Sequence, residues 1–214
     1  MPLWTWSPTT RRYRLTTEGA AKFGNRAGTF ISFETIQQLS IDYVERSIAQ
    51  LDTSRLSSGA QSIQQWVEQS RTMLLNDYIA QYALGKGGIT ELDSKDINRL
   101  SELLLSQFQY LNDFANAIVK GQLSEAAILD RLSLYTSSSR QAFERANAAM
   151  IGADLPAYPG DGTTVCRTRC NCTWRIVETD TMFKCYWTIR PGENCPDCVA
   201  RARKWNPIQV LKLN

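Results

Sequence analysis

Histidine is absent from the 214 residues of this chain, and no cysteine occurs before Cys166. Without histidine the chain can form neither a Ser-His-Asp nor a Cys-His nucleophile arrangement, and neither a His-Glu-x-x-His site nor a mixed Cys/His zinc site. No stretch approaches about 18 uncharged apolar residues, so we expect no membrane span. The start, Met-Pro-Leu-Trp-Thr-Trp, lacks a charged segment followed by an apolar run, and we expect no secretory signal.

Charge of one sign is only slightly in excess, with a formal net charge of +3. The basic residues concentrate near the two ends. Residues 11–26 carry one acid, Glu18, against Arg11, Arg12, Arg14, Lys22 and Arg26, and residues 199–214 carry no acid against Arg201, Arg203, Lys204 and Lys212. These segments are either solvated or contact an acidic protein surface or DNA phosphates. The net charge alone is too small to indicate nucleic-acid binding.

Residues 1–31 show no sustained hydrophobic period and predict an aromatic and basic extended arm that packs on another surface and can include a short strand. Its aromatic residues are separated by Ser, Thr, Gly and Arg; they are Trp4, Trp6, Tyr13, Phe23 and Phe30. Such a segment cannot bury a core of its own. We therefore expect the arm to dock on a neighbouring subunit.

Residues 32–152 predict a helical domain of four amphipathic helices, which makes the expected fold mainly α. The expected ranges are about 33–51, 62–84, 95–119 and 124–152, with Ser32 and Ser94 as N-caps of the first and third helices. The third helix repeats apolar residues at helical spacing, at Ile97, Leu100, Leu104, Phe108, Leu111, Ala115 and Ile118. In the fourth, the run Tyr135–Ser139 predicts a small-residue face for close packing. Because each helix buries only one face, the four need one another to form a body.

Residues 153–214 predict a separate cysteine-rich module with a basic tail. A segment rich in Gly and Pro, at about 152–163, marks the boundary. All six cysteines follow it, at Cys166, Cys170, Cys172, Cys185, Cys195 and Cys198. Such clustering indicates a local covalent or metal-bound structure.

The spacing of these cysteines favours one structural zinc ion. Cys195-Pro-Asp-Cys198 is a typical half-site, because two cysteines separated by two residues aim both sulfurs at one metal. Between the half-sites, Thr173–Val177 and Phe183–Ile189 flank a polar turn and predict a β-hairpin. With the turn centred near 179–180, Cys172 lies opposite Trp187 and Cys185 opposite Trp174, which is too far in to reach the metal. The predicted Zn²⁺ ligands are therefore four among Cys166, Cys170, Cys172, Cys195 and Cys198, with Cys172 and one of the two earlier cysteines favoured for the first half-site, and Cys185 is a packed thiol.

Two other readings of the cysteines remain open at this stage. Six cysteines allow 15 disulfide pairings, although reducing compartments disfavour disulfides. An iron–sulfur or redox site is the second alternative, but the βαβ pattern that accompanies a redox Cys-x-x-Cys is missing. An all-cysteine zinc site is closed, so its role is to stabilise folding rather than to catalyse. We therefore expect a protein that is not an enzyme.

Several segments resemble the minor head proteins of tailed phages, similar to the head-morphogenesis proteins of phage Mu and its relatives. The resemblance covers about residues 60–207. It rests on Tyr158-Pro-Gly-Asp-Gly-Thr-Thr-Val-Cys166, Cys170-Asn-Cys172-Thr-Trp174, Cys195-Pro-Asp-Cys198 and Trp205-Asn-Pro207, and on Phe114-Ala-Asn-Ala-Ile118, Gly121-Gln-Leu-Ser124, Ile128-Leu-Asp-Arg131 and Tyr135 in the helices. This chain has Asn171 where the family has Arg, Thr173 where it often has His, and Cys185 in addition.

The resemblance implies a structural virion component that is made in the host cytoplasm and built into the head at or near the portal vertex. Its implied partners are capsid or portal and neck proteins, in several copies. The alternative is a zinc-ribbon-like module that binds nucleic acid through the basic tail. A phage-carried enzyme, such as an ADP-ribosyl transferase or a nuclease, is a third reading, but no acid/base constellation supports it.

Overall fold

The computed structural model describes residues 4–7, 10, 12–32, 35, 42, 46 and 53–212. The protein is mainly helical, at about 53%, with two small three-stranded antiparallel sheets. In chain order the elements are β1 (Trp4–Ser7), β2 (Arg12–Leu15), α1 (Thr17–Phe23), β3 (Phe30–Ile31), α2 (Ser54–Ser57), α3 (Ile63–Lys86), α4 (Ser94–Val119), α5 (Glu125–Ser137), α6 (Arg140–Ala149), β4 (Thr173–Glu178), β5 (Met182–Thr188), α7 (Pro196–Lys204) and β6 (Ile208–Leu211). Short 3₁₀ turns lie at Ile89–Glu91 and Arg167–Arg169.

The N-terminal segment is folded, which differs from the expected extended arm. Strands β1, β2 and β3 form one sheet, and Tyr13 and Leu15 on β2 are buried. The Tyr13 hydroxyl donates to the backbone carbonyl of Leu84, and the Trp6 ring packs directly on Gly87. Period-2 alternation over four residues is too short a signal to see in sequence, yet it places an apolar face against the end of α3.

The helical body has its core between α3, α4, α5 and α6. Buried residues on these helices include Trp66, Leu74, Tyr78, Leu104, Leu111, Phe114, Leu132 and Ala146. Most of the predicted apolar stripe of α4 faces this core, but Ile97 is half exposed. Its neighbour Asp96 points inward instead, where it accepts a hydrogen bond from Tyr82 at 2.8 Å and pairs with Lys86 at 2.9 Å.

Two of the predicted helix boundaries are wrong for local reasons. Asp93, not Ser94, is the N-cap of α4, because Asp93 and Asp96 each accept the other's backbone N–H in a capping box. The predicted fourth helix breaks into α5 and α6 at the serine run. There the Ser138 hydroxyl bonds the carbonyl of Tyr135 and also contacts Tyr78, so side-chain bonds compete with the helical ladder.

The first predicted helix, at about 33–51, falls almost wholly outside the described residues and stays a prediction. One described contact at its expected start agrees with it. The Ser32 hydroxyl accepts the backbone N–H of Thr35 at 3.2 Å, which is the bond expected of an N-cap.

Gly85 allows α3 and α6 to pack closely. A Cβ atom at this position would lie 2.3 Å from the carbonyl oxygen of Phe143 and 2.8 Å from the Cβ of Ala146. We expect Gly85→Ala to lower the free energy of unfolding by about 1–3 kcal/mol through overpacking, despite alanine's better helix propensity. Chemical denaturation measures this, and the matched control is Asn76→Ala on the exposed face of α3, which should stay within about 0.5 kcal/mol. Equal stability of the two variants would contradict the close packing.

The C-terminal module packs a three-stranded sheet, in the order β4-β5-β6, against α7. Its centre is an aromatic cluster in which Trp174 stacks on Trp205 at 5.7 Å and meets Trp187 edge-on at 5.3 Å. The indole N–H of Trp174 donates to the carbonyl of Ala157 at 2.9 Å. This cluster also includes Ala148, so the module rests on the end of α6. Among the described helices none has both the length and the apolar character that crossing a bilayer requires.

Candidate metal centre

Five of the six cysteine sulfurs come together from two separate segments. Cys166 and Cys170 flank the 3₁₀ turn Arg167–Arg169, and Cys172 directly precedes β4. Cys195 and Cys198 lie at the start of α7, where the Cys195 sulfur accepts the backbone N–H of Cys198 at 3.4 Å. Arg167 takes a left-handed φ of 50°, a strained conformation for a non-glycine residue. The strain lies in the turn that carries the first two cysteines.

The sulfur–sulfur distances define a compact cluster. Cys166 lies 3.8 Å from Cys198 and 3.5 Å from Cys195, and Cys170 lies 3.5 Å from Cys198. The sulfurs of Cys166, Cys170 and Cys198 all lie within 4.8 Å of one another, and these residues with their neighbouring cysteines can hold a metal ion. Cys170 and Cys198 are almost completely buried, so the cluster is closed on one side by the protein.

Cys172 lies at the buried side of the cluster. Its thiol interacts with the sulfurs of Cys170 and Cys198. Hydrogen bonding from Cys172 lowers the pKa of the Cys170 thiol to about 5, because the neighbouring thiol stabilises the thiolate. A thiolate is the form of cysteine that binds metals. Cys170 therefore has the charge state that a cation requires, whereas burial raises the pKa of the Cys166 and Cys198 thiols.

Cys185 lies on β5, and the hairpin register predicted for it is wrong. The strands pair with Trp174 opposite Trp187 and with Ile176 opposite Cys185, two residues away from the expected register. The cause is a turn centred between residues 180 and 181 rather than near 179–180. Burial alone raises the pKa of Cys185 to about 11, and its thiol is fully enclosed among apolar side chains.

Two charged residues of α6 attach the cysteine segment to the helical body. Arg140 donates to the backbone carbonyl of Cys170 at 2.9 Å and to the side-chain oxygen of Asn171 at 2.8 Å. One turn later, Glu144 accepts the hydroxyl of Thr173 at 2.7 Å and the backbone N–H of Trp174 at 3.1 Å. Both charged side chains are buried. Burial raises the pKa of Glu144 to about 7 and lowers that of Arg140.

A third charged residue joins the two cysteine segments to each other. Asp197, between Cys195 and Cys198, accepts the backbone N–H of Val165 at 2.9 Å, next to Cys166. The bond fixes the two half-sites in one register. Its position resembles the outer-shell contacts that orient metal ligands in known sites.

The basic tail is partly used for internal packing. The Arg201 guanidinium lies 5.2 Å from the ring centre of Trp187 and 5.4 Å from that of Trp205, and it donates to the hydroxyl of Thr163 at 2.9 Å. Arg203 and Lys204 on the same helix remain exposed. The predicted basic surface is therefore reduced by one of its charges.

The sequence prediction did not identify Arg140, Glu144 or Asp197 as parts of the site. The Asp in Cys195-Pro-Asp-Cys198 was visible, but its partner at Val165 was not. For α6 there was a weak signal, since Arg140 and Glu144 are four residues apart on one face of the helix. This four-residue spacing by itself predicts an ion pair on the surface of the helix.

Comparison of the chain with protein-family models, with curated proteins and with solved structures finds no match. The function proposed for the chain therefore rests on the residues themselves and on the resemblance described above.

Proposed function

We propose that one structural zinc ion occupies the cysteine cluster. The supporting observation is the set of sulfur–sulfur distances of 3.5–3.8 Å between the two segments. Four sulfurs bound to zinc at about 2.3 Å stand roughly 3.8 Å apart at the corners of a tetrahedron. A disulfide would need two sulfurs at about 2.05 Å. A closed all-thiolate site contributes folding energy, so the ion would stabilise a module with a small apolar core.

We propose further that the chain is a minor head protein of a tailed phage and acts in virion assembly without catalysing a reaction. The observation that carries this proposal is the resemblance of the segments around Cys166–Trp174 and Cys195–Pro207 to that family. A module clamped to a helical body suits a protein that presents a rigid surface to capsid or portal subunits. The absence of histidine from the chain and the closed cysteine cluster agree with a role that is not catalytic.

Localisation of the chain in particles tests the assembly role. Proheads and mature particles would be purified from induced host cells that carry the coding sequence, and the chain would be detected by mass spectrometry and located by cryo-EM. We expect it at or near the portal vertex, in several copies. If neither proheads nor mature particles contain it, the proposal is wrong.

Nucleic-acid binding through the basic tail is the alternative function. The exposed Arg203 and Lys204 favour it, whereas Arg201 is engaged with Trp187 and Trp205. Affinity for duplex DNA would then fall steeply with salt because phosphate contacts release counterions. A chain that does not bind duplex DNA at about 50 mM salt excludes this alternative.

Asp197→Ala tests the contact that joins the two half-sites. The variant loses the bond to the Val165 N–H, so the two segments are no longer held in register, and zinc affinity should fall by about 10–100-fold. Competition with a chromophoric chelator measures the affinity. Asp180→Ala, in the exposed hairpin turn, is the control and should bind zinc like the wild type. An unchanged affinity in Asp197→Ala would contradict an orienting role.

A further inference from the structure

We infer that Cys166, Cys170, Cys195 and Cys198 are the four metal ligands, and that Cys172 packs against the site without binding the ion. This inference rests on the proposed zinc site and deepens it. Five sulfurs compete for the four positions of a tetrahedral ion. Three of them, Cys166, Cys170 and Cys198, are mutual neighbours, so the fourth ligand is either Cys195 or Cys172.

The geometry around Cys195 favours it as the fourth ligand. Its sulfur lies 3.5 Å from Cys166, so the three sulfur–sulfur distances of 3.5–3.8 Å all join members of the inferred set. The Cys198 N–H points at this sulfur from 3.4 Å, at the N-terminus of the nine-residue helix α7. A backbone donor and the positive end of a helix dipole both stabilise a thiolate.

Cys172 is held on the other side of the cluster by contacts that the metal does not supply. Glu144 binds the two residues after Cys172, at the Thr173 hydroxyl and the Trp174 N–H, and Arg140 binds the Cys170 carbonyl two residues before it. The thiol itself is buried among the apolar residues of the module. Moving this sulfur toward Cys166 would require α6 to release the strand. Cys195 is partly exposed and directly precedes α7, so its sulfur can move toward the metal more easily than that of Cys172.

Charge limits the number of thiolates at the site. Four thiolates around Zn²⁺ leave a net charge of about −2 at a buried site. Arg140 is the buried cation that interacts with both Cys170 and Cys172. A fifth bound thiolate would add another negative charge to this cluster, so one of the five sulfurs stays outside the coordination sphere.

Carbon-13 NMR on the full-length, zinc-loaded wild-type chain tests the assignment without a substitution. Cysteine Cβ shifts separate metal-bound from free reduced thiols. We expect metal-bound shifts at Cys166, Cys170, Cys195 and Cys198, and free-thiol shifts at Cys172 and Cys185. A metal-bound shift at Cys172 together with a free-thiol shift at Cys195 would overturn the assignment, as would metal-bound shifts at both.

Two matched variants give an independent readout. Cys172→Ala should retain about one zinc ion per chain, with an affinity lowered by the roughly 10–100-fold expected for an outer-shell partner. Cys195→Ala should lose affinity by more than this and release zinc during gel filtration. Retention of zinc by both variants, or loss from both, would overturn the ligand assignment. A wild-type chain that never binds zinc would instead contradict the proposed zinc site, so the two failures are distinguishable.

Discussion

Cys198→Ser should abolish metal retention and unfold the C-terminal module. Cys198 is the sulfur that neighbours both Cys166 and Cys170, at 3.8 and 3.5 Å, and it belongs to the inferred ligand set whichever of Cys195 and Cys172 is the fourth ligand. Structural zinc in small peptides contributes an apparent 10–16 kcal/mol of binding free energy, which is folding free energy when the site does not exist in the unfolded chain. That is of the same order as the total stability of a domain.

Metal analysis after gel filtration and tryptophan fluorescence measure the two effects. The fluorescence should shift toward that of solvated indoles as the stack of Trp174, Trp187 and Trp205 opens. Hydrogen exchange should still protect the core of α3 and α4, which has its own buried residues. The same loss is expected when a strong chelator removes zinc from the wild-type chain.

Cys185→Ala is the matched control for Cys198→Ser. It also removes a buried thiol from the module, but this thiol lies opposite Ile176 in the hairpin, outside the metal cluster. We expect the variant to keep its metal and to lose only the modest stability of a small cavity. If Cys198→Ser kept one metal ion per chain and unfolded like the wild type, the cluster would not be a folding site.

Glu144→Ala should destabilise the protein by about 3–5 kcal/mol, the range for removing one partner from a buried charged network. The substitution leaves the hydroxyl of Thr173 and the N–H of Trp174 without their acceptor, and it leaves Arg140 buried without the nearby carboxylate. Chemical denaturation of the zinc-loaded chain measures the loss. Zinc affinity should fall as well, because Cys172 directly precedes the released strand.

Two further variants, Glu102→Ala and Glu144→Gln, serve as controls for Glu144→Ala. Glu102 is an exposed glutamate on α4, and its removal should change stability by no more than about 0.5 kcal/mol. Glutamine at position 144 keeps one acceptor oxygen but presents an N–H₂ group to the second donor. The loss of stability in Glu144→Gln should therefore be intermediate. A Glu144→Ala variant as stable as Glu102→Ala would show that α6 does not hold the strand.

The results expected for Cys198→Ser and Glu144→Ala imply that the helical body and the C-terminal module stabilise each other. Helix α6 contributes Ala142 and Ala146 to the helical core and Ala148 to the core of the module. Through Arg140 and Glu144, α6 also holds the segment that carries Cys170 and Cys172 and the start of β4. Loss of the metal should therefore weaken the end of the helical body that contacts the module, which hydrogen exchange along α6 would report.

Local sequence patterns predict the mainly helical class, the positions of α3 and α4, the hairpin and the segregation of cysteines into one segment. These follow from local signals, since a 3.6-residue period, a capping residue or a polar turn between β-branched residues acts within a few positions. The same signals missed the break at Ser138, because a hydroxyl that bonds its own backbone looks in sequence like any small residue of a helix.

Assembly of the site depends on contacts between distant parts of the chain. A turn, a hairpin and a helix bring the chain back to one end of the module, where Cys166 and Cys170 meet Cys195 and Cys198. Predicting this meeting requires the register of the hairpin. The sequence estimate of that register was two residues off. Arg140 and Glu144 became part of the site because α6 packs beside the segment that carries Cys170 and Cys172. This segment follows α6 in the chain, and Cys170 lies 30 residues after Arg140. Such contacts depend on which surfaces meet, and this is set by burial over the whole chain rather than by any short pattern within it.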